Sequence, residues 1–185
     1  RGVDPNDIQN VFVVSYIYVT PTVHWLGLVG KEVISGWQLN GITRLQSGAP
    51  FNVTSGADSN FDGTTNDRPN LVGIPYLPTS RTRQQKITQY FNTAAFVAPA
   101  AGTPYGNVPF DLLFGPRYVN TDFSAFKTFS IYKETNLQFR AEAFNVLNSV
   151  NLNNPASNLS TSGTFGQISG TKDPRILQFA LRLSF

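Results

Sequence analysis

The chain has 185 residues and a formal net charge of +3, room for one domain or for part of a larger one. Charged residues supply only 14% of it and aromatics 13%, against about 25% charged in a typical soluble domain. With no Cys and a single His, the composition excludes a disulfide framework, a thiolate site, a Cys–His pair and a zinc cluster.

The chain starts at Arg1 without an initiator Met or a signal peptide, which reads as a fragment or a processed piece. From Ile8 to Gly30 there is no Asp, Glu, Lys or Arg, a length that would suit a bilayer-spanning helix. The residue types argue against that helix. Val11 to Val19 is dense in β-branched and aromatic residues, Pro21 interrupts the run, and Gly27 and Gly30 weaken its second half. The first predicted strand is therefore Val11 to Thr20. It is apolar on both faces, and Phe12, Val14, Tyr16 and Tyr18 are assigned to its outward side. A modest link holding His24 and Trp25 comes next. These two amphipathic rings are expected at a membrane interface rather than at a catalytic or metal centre.

The second strand spans Val33 to Ser47. It alternates Trp37, Leu39, Gly41, Thr43 and Leu45 against Gln38, Asn40, Ile42, Arg44 and Gln46. Phe51 to Thr54 reads as a short extension. A long stretch then runs from about 48 to 116, rich in Pro, Gly, Asn and Thr. A compact soluble domain rarely needs such a connection. Within it, Asp58, Asn60, Asp62 and Gly63 match the first half of a D-x-[DN]-x-[DN]-G loop, with Thr64, Asn66 and Asp67 beside them. Oxygen at alternate positions suits Ca²⁺. The bidentate Glu expected at position twelve is replaced by Pro69, which leaves Asp67 as the available substitute. The other reading is an Asx-rich turn whose side chains cap their own backbone. Further on, Gln84 to Phe96 reads as a short helix ending near Asn92-Thr93-Ala94-Ala95. Arg81, Arg83 and Lys86 form the nearest thing to a basic cluster. They lack interleaved aromatics and neutralise too few phosphates to imply a nucleic-acid partner.

The third strand, Arg117 to Ser130, sets Val119, Thr121, Phe123 and Ala125 against Asn120, Asp122 and Ser124. A tight turn near Tyr132-Lys133-Glu134 leads to the fourth, Thr135 to Leu147. It sets Leu137, Phe139, Ala141 and Ala143 against Gln138, Arg140 and Glu142. A second long connection, about 148–173, precedes the fifth strand. There Leu177, Phe179, Leu181, Leu183 and Phe185 oppose Gln178, Ala180, Arg182 and Ser184. Such runs exceed the usual globular strand of about 5–6 residues and suit tilted membrane strands of about 9–11. Short turns at one end and long loops at the other describe an outer-membrane barrel. Asp122, Arg140, Glu142, Gln178 and Arg182 would then face its lumen, and Asp122 would pair with Arg140 across neighbouring strands. Strand three to strand five offers no convergent acid/base pair, so the chain is not expected to be an enzyme.

Several phrases together carry a family resemblance. They are Gly36-Trp37-Gln38-Leu39-Asn40-Gly41-Ile42, Gln46-Ser47-Gly48-Ala49-Pro50-Phe51, Asn66-Asp67-Arg68-Pro69-Asn70, Tyr90-Phe91-Asn92-Thr93-Ala94-Ala95-Phe96, Thr164-Phe165-Gly166-Gln167-Ile168, and the strand Asn136 to Asn148. The chain resembles the C-terminal part of TonB-dependent outer-membrane receptors of the Oar-like type, in which a carboxypeptidase-regulatory-like domain precedes plug and barrel. The resemblance implies an all-β fold over residues 1–185. About five antiparallel, up-and-down strands of an unclosed outer-membrane β-barrel would carry two long extracellular loops. It implies the outer membrane of a Gram-negative bacterium and energised uptake of an unidentified substrate. It also implies as partners the outer-membrane lipid, the N-terminal barrel strands and plug, TonB acting through that plug, and the barrel-assembly machinery. The run Leu177, Phe179, Leu181, Leu183 and Phe185 resembles the assembly signal that this machinery reads. Plug, TonB-box segment and most of the roughly 22 strands of this class are absent from these residues, so the fifth strand is expected to leave an unpaired edge. The alternative is a soluble, calcium-dependent β-sandwich for binding or adhesion, whose apolar face a second sheet would cover.

Overall fold

A computed structural model describes every residue except 1–3, 5, 24–26 and 104. In chain order the elements are β1 (Val11–Val19), α1 (Gly27–Ile34), β2 (Gln38–Gln46), β3 (Pro50–Phe51), β4 (Asn70–Leu71), α2 (Arg83–Thr88), a 3₁₀ turn (Thr93–Ala95), β5 (Phe96–Val97), β6 (Leu113–Phe114), β7 (Tyr118–Tyr132), β8 (Thr135–Phe144) and β9 (Ile176–Ser184). The chain divides into two compact units, each with its own logic. One holds residues 1–10, 46–117 and 151–172; the other holds 11–45, 118–150 and 173–185.

The second unit is a single five-stranded sheet in the order β1-β2-β7-β8-β9. All five expected strands are there, and the order follows the chain. β7 and β8 are antiparallel, with Ala125 opposite Ala141 and Lys127 opposite Phe139. β8 and β9 are antiparallel, with Phe139 opposite Leu181 and Glu142 opposite Gln178. β1 and β9 are the outer strands, so the sheet is open and the fifth strand has the unpaired edge expected of it. The turn between β7 and β8 pairs Tyr132 with Thr135. It places Lys133 in left-handed backbone at φ 49°, the conformation that a tight hairpin demands.

The expected second strand is shorter than its pattern. Its first residues, Val33 and Ile34, close α1, and the strand begins only at Gln38. Several bonds hold this corner. The Trp37 indole N–H donates to the Val33 carbonyl at 2.7 Å, the Trp37 amide to the Thr20 hydroxyl at 2.9 Å, and the Lys127 ammonium to the Ser35 carbonyl at 2.6 Å. A Cβ on Gly41 would lie 2.2 Å from the Tyr16 ring. Tyr16 therefore covers a glycine on the neighbouring strand, which supplies the apolar surface that Gly41 cannot. The contact also places Tyr16 on the sheet face that carries Gly41.

The first unit departs furthest from the sequence-based expectation. Its two long stretches, expected to be irregular, build a core of their own from Phe51, Val53, Phe91, Ala95, Phe96, Val108, Leu113 and Phe165. Phe91 meets Phe96 and Phe165 edge to face, with ring centroids 5.5 and 5.1 Å apart, the arrangement that ring quadrupoles favour. Two short antiparallel ladders, β3 with β6 and β4 with β5, brace the core. The expected helix over Gln84 to Phe96 is two pieces, α2 and the 3₁₀ turn. α2 begins with a reciprocal capping box: the Gln85 amide donates to Thr82 Oγ1 and the Thr82 amide donates to Gln85 Oε1. Gly48 is required by contact, since a Cβ there would sit 1.8 Å from the Gly115 carbonyl oxygen.

Candidate functional site

The sheet has two chemically distinct faces. One carries Trp37, Leu39, Gly41, Thr43 and Leu45 of β2, Phe123, Ala125, Lys127 and Phe129 of β7, Leu137, Phe139, Ala141 and Ala143 of β8, and Leu177, Phe179, Leu181 and Leu183 of β9. Its aromatics form a row, with Trp37 edge-on to Phe139 at 5.9 Å and Phe139 stacked on Phe179 at 6.4 Å. Among the described residues, nothing in the sheet's own unit covers it at β9. Phe179 is 68% exposed, Leu181 69% and Phe185 95%. An apolar row of that extent in water would be an aggregation or interaction surface.

One cation sits on this face. Lys127 is buried, with its ammonium on the Ser35 carbonyl and 5.0 Å from the Phe129 ring centre. A charge in an apolar setting must be paired or hydrogen-bonded, and bending toward the chain just beyond α1 meets that need. The alternation read from sequence for this strand stopped at Ala125 and missed this residue. An isolated Lys at an apolar register position was the available signal.

The opposite face carries Asp122, Arg140, Glu142, Gln178 and Arg182, all five on one side of the sheet. The expected Asp122–Arg140 pair does not form. The register sets Arg140 opposite Phe126, where its guanidinium lies 5.1 Å over the ring, and its Nε is 3.7 Å from Glu142 on the same strand. Asp122 instead accepts from the Asn120 side-chain amide and the Asn145 backbone N–H, both at 2.8 Å, and so caps the exit of β8.

In the other unit, the acidic loop closes on itself. Asp58 accepts the amides of Asp62 and Gly63 at 3.1 and 2.9 Å. Asp62 accepts the amide and hydroxyl of Thr64 and the side-chain amide of Asn60. The Thr64 hydroxyl also reaches Asn66 at 2.8 Å. Asp67 is buried and accepts the Ser59 amide at 2.6 Å and the Asn60 amide at 3.3 Å. The bonds from Thr64 and then Asn60 hold the Asp62 carboxyl below the usual carboxylate range. The loop lifts Phe61 out at φ 63° and 72% exposure. Among the described residues no three or more His, Cys, Asp or Glu side chains gather as a metal-holding group.

Beside the loop, Arg68 lies between Tyr105 and Phe110, 4.7 and 4.8 Å from their ring centres, and donates to the Val108 carbonyl at 3.0 Å. It is a structural clamp. His24 and Trp25 lie outside the described residues. No helix among the described residues is long and apolar enough to cross a membrane, which leaves crossing by strands untouched.

A family model described as an outer membrane beta barrel domain matches residues 1–178. No curated protein and no solved structure matches the chain.

Proposed function

Because the chain belongs to the outer membrane beta barrel domain family and is embedded in the bacterial outer membrane by its strands, we propose that it is the C-terminal wall of a TonB-dependent receptor of the Oar-like type. The observation that supports its barrel-wall part is the exposed apolar face of β9, backed by a polar face that holds Gln178 and Arg182; its TonB-dependent part is supported by the phrases that resemble that receptor family. In a barrel wall the first face meets lipid and the second meets the water of the lumen. In the soluble sandwich reading the same row would need a second sheet above it.

In this role the chain does no covalent chemistry. β9 offers its free edge to the first strand of the barrel, and Leu177, Phe179, Leu181, Leu183 and Phe185 present the assembly signal to the barrel-assembly machinery. The turn at Lys133 lies on the periplasmic side, and residues 48–116 and 148–173 lie outside the cell. Substrate bound outside passes when TonB pulls on a plug held within the completed barrel. Asp122, Arg140, Glu142, Gln178 and Arg182 line the passage.

The reading frame that contains this chain should encode, upstream, a plug with a TonB-box segment and further amphipathic hairpins. Its product should be cross-linked to TonB in energised cells, and deletion of the box should remove the adduct. A frame that encodes barrel strands without a plug, or a product that never reaches TonB, would overturn the TonB-dependent assignment.

A further inference from the structure

The unit built from the long connections contains a cavity of about 270 Å³ that the barrel wall does not use. Its walls are mainly apolar, from Leu77, Phe91, Leu113 and Phe114. Among the described residues, the charged groups that line it are two cations, Arg81 and Lys86, and no carboxylate lines it. Tyr76 and Tyr90 also line it, and the Tyr76 hydroxyl donates to the Leu112 carbonyl at 3.1 Å. The volume is near the lower end of the range for small-molecule pockets, about 300–1,000 Å³, which are characteristically apolar with a few convergent polar groups.

Arg81 is held where it is by the local fold. The capping box fixes Thr82 and so the start of α2. Arg81, just before it, folds back over the helix and donates to the carbonyls of Gln85 and Gln89. Lys86 is half-buried on α2 and forms no ion pair among the described residues. The Tyr90 hydroxyl is pushed up by burial and stays a donor at neutral pH. A purely apolar ligand would bury the Lys86 ammonium without a partner, at a cost in desolvation. A small inorganic anion would leave the apolar walls wet.

We propose that this cavity binds a small amphipathic anion, an aryl or short-chain alkyl carboxylate. Its apolar body lies against Leu77, Phe91 and Phe114, and its carboxylate is held by Arg81 and Lys86. The inference rests on the geometry of this unit alone, so it stands or falls separately from TonB-driven uptake.

The test uses the full chain in lipid nanodiscs and ligand-observed NMR, with indole-3-acetate and 4-phenylbutyrate as probes. Their neutral amides and acetate are the controls. Both acids are expected to bind at least tenfold more tightly than their amides or acetate. Lys86→Gln should weaken the acids about tenfold and leave the amides unchanged. The fold does not depend on an ion pair of Lys86, and hydrogen exchange of Phe91 and Phe165 verifies that the core is intact. Thr79→Trp, which sets an indole at the cavity wall, should abolish binding of both acids. Equal binding of acid and amide, acid binding that survives Thr79→Trp, or no binding of either acid would overturn the proposal.

Discussion

Phe179→Arg should destabilise the membrane-inserted protein by about 2–4 kcal/mol, the cost of an arginine on the lipid face near the middle of a transmembrane strand. Phe179 lies mid-strand in β9, opposite Ala141, and is 68% exposed, so truncating its packing contributes little. The cost comes from placing a guanidinium in hydrocarbon. One residue away, Gln178→Arg should be neutral or slightly stabilising. Gln178 faces the other way and lies opposite Glu142, so the new charge gains a cross-strand partner. Urea titration of the protein folded into lipid vesicles reads both variants. A soluble sandwich would also penalise Phe179→Arg, but its β9 would then be covered by a second sheet. Near-equal effects of the two substitutions would contradict a two-faced wall.

The second large effect belongs to the unit formed by the long connections. Phe91→Ala should cost about 3–5 kcal/mol, the range for removing a buried Phe. Phe91 is 2% exposed and touches Phe51, Phe96 and Phe165, aromatics drawn from both long connections. Its loss leaves a cavity that these rings cannot fill without giving up their edge-to-face contacts. The measurement is hydrogen exchange of the Tyr90 and Ile168 amides, which donate to the Gly166 and Ile87 carbonyls. Both should lose protection together. A drop below about 1 kcal/mol would mean that the core can close over the gap.

The strands of the sheet were legible because period-two alternation is local: each residue's neighbours in sequence reveal its face. The same locality explains the misses. α1 was hidden because Gly27 and Gly30, with Val29, Val33 and Ile34, are weak helix formers. Its end is held by a tertiary contact, the Lys127 bond to the Ser35 carbonyl from ninety-two positions away. The Asp122–Arg140 pair failed on register rather than on face. The bulge between Ser130 and Tyr132 and the turn at Lys133 decide which residues oppose each other, and alternation carries no register. The core of the other unit was the least visible. Its members are scattered a few to a phrase, from Phe51 to Phe165, with no period linking them. Three phrases that carried the family resemblance supply most of that core: Phe51, then Phe91, Ala95 and Phe96, then Phe165, with Ile168 also buried. Those phrases are the scaffold of the long connections. The acidic loop stood between two readings in sequence, and its hydrogen bonds run chiefly to its own backbone.

In the proposed wall, one face of β9 meets lipid and the other meets water. The chain has no Cys of its own, so single Cys substitutions from Leu177 to Leu183 can each carry a nitroxide spin label. With the protein in lipid vesicles, collision with oxygen reports lipid and collision with a water-soluble nickel chelate reports water. A two-residue alternation is expected: oxygen high at Leu177, Phe179, Leu181 and Leu183, nickel high at Gln178, Ala180 and Arg182. Labels at the odd positions shielded from both reagents, as beneath a second sheet, or a profile without alternation, would contradict it.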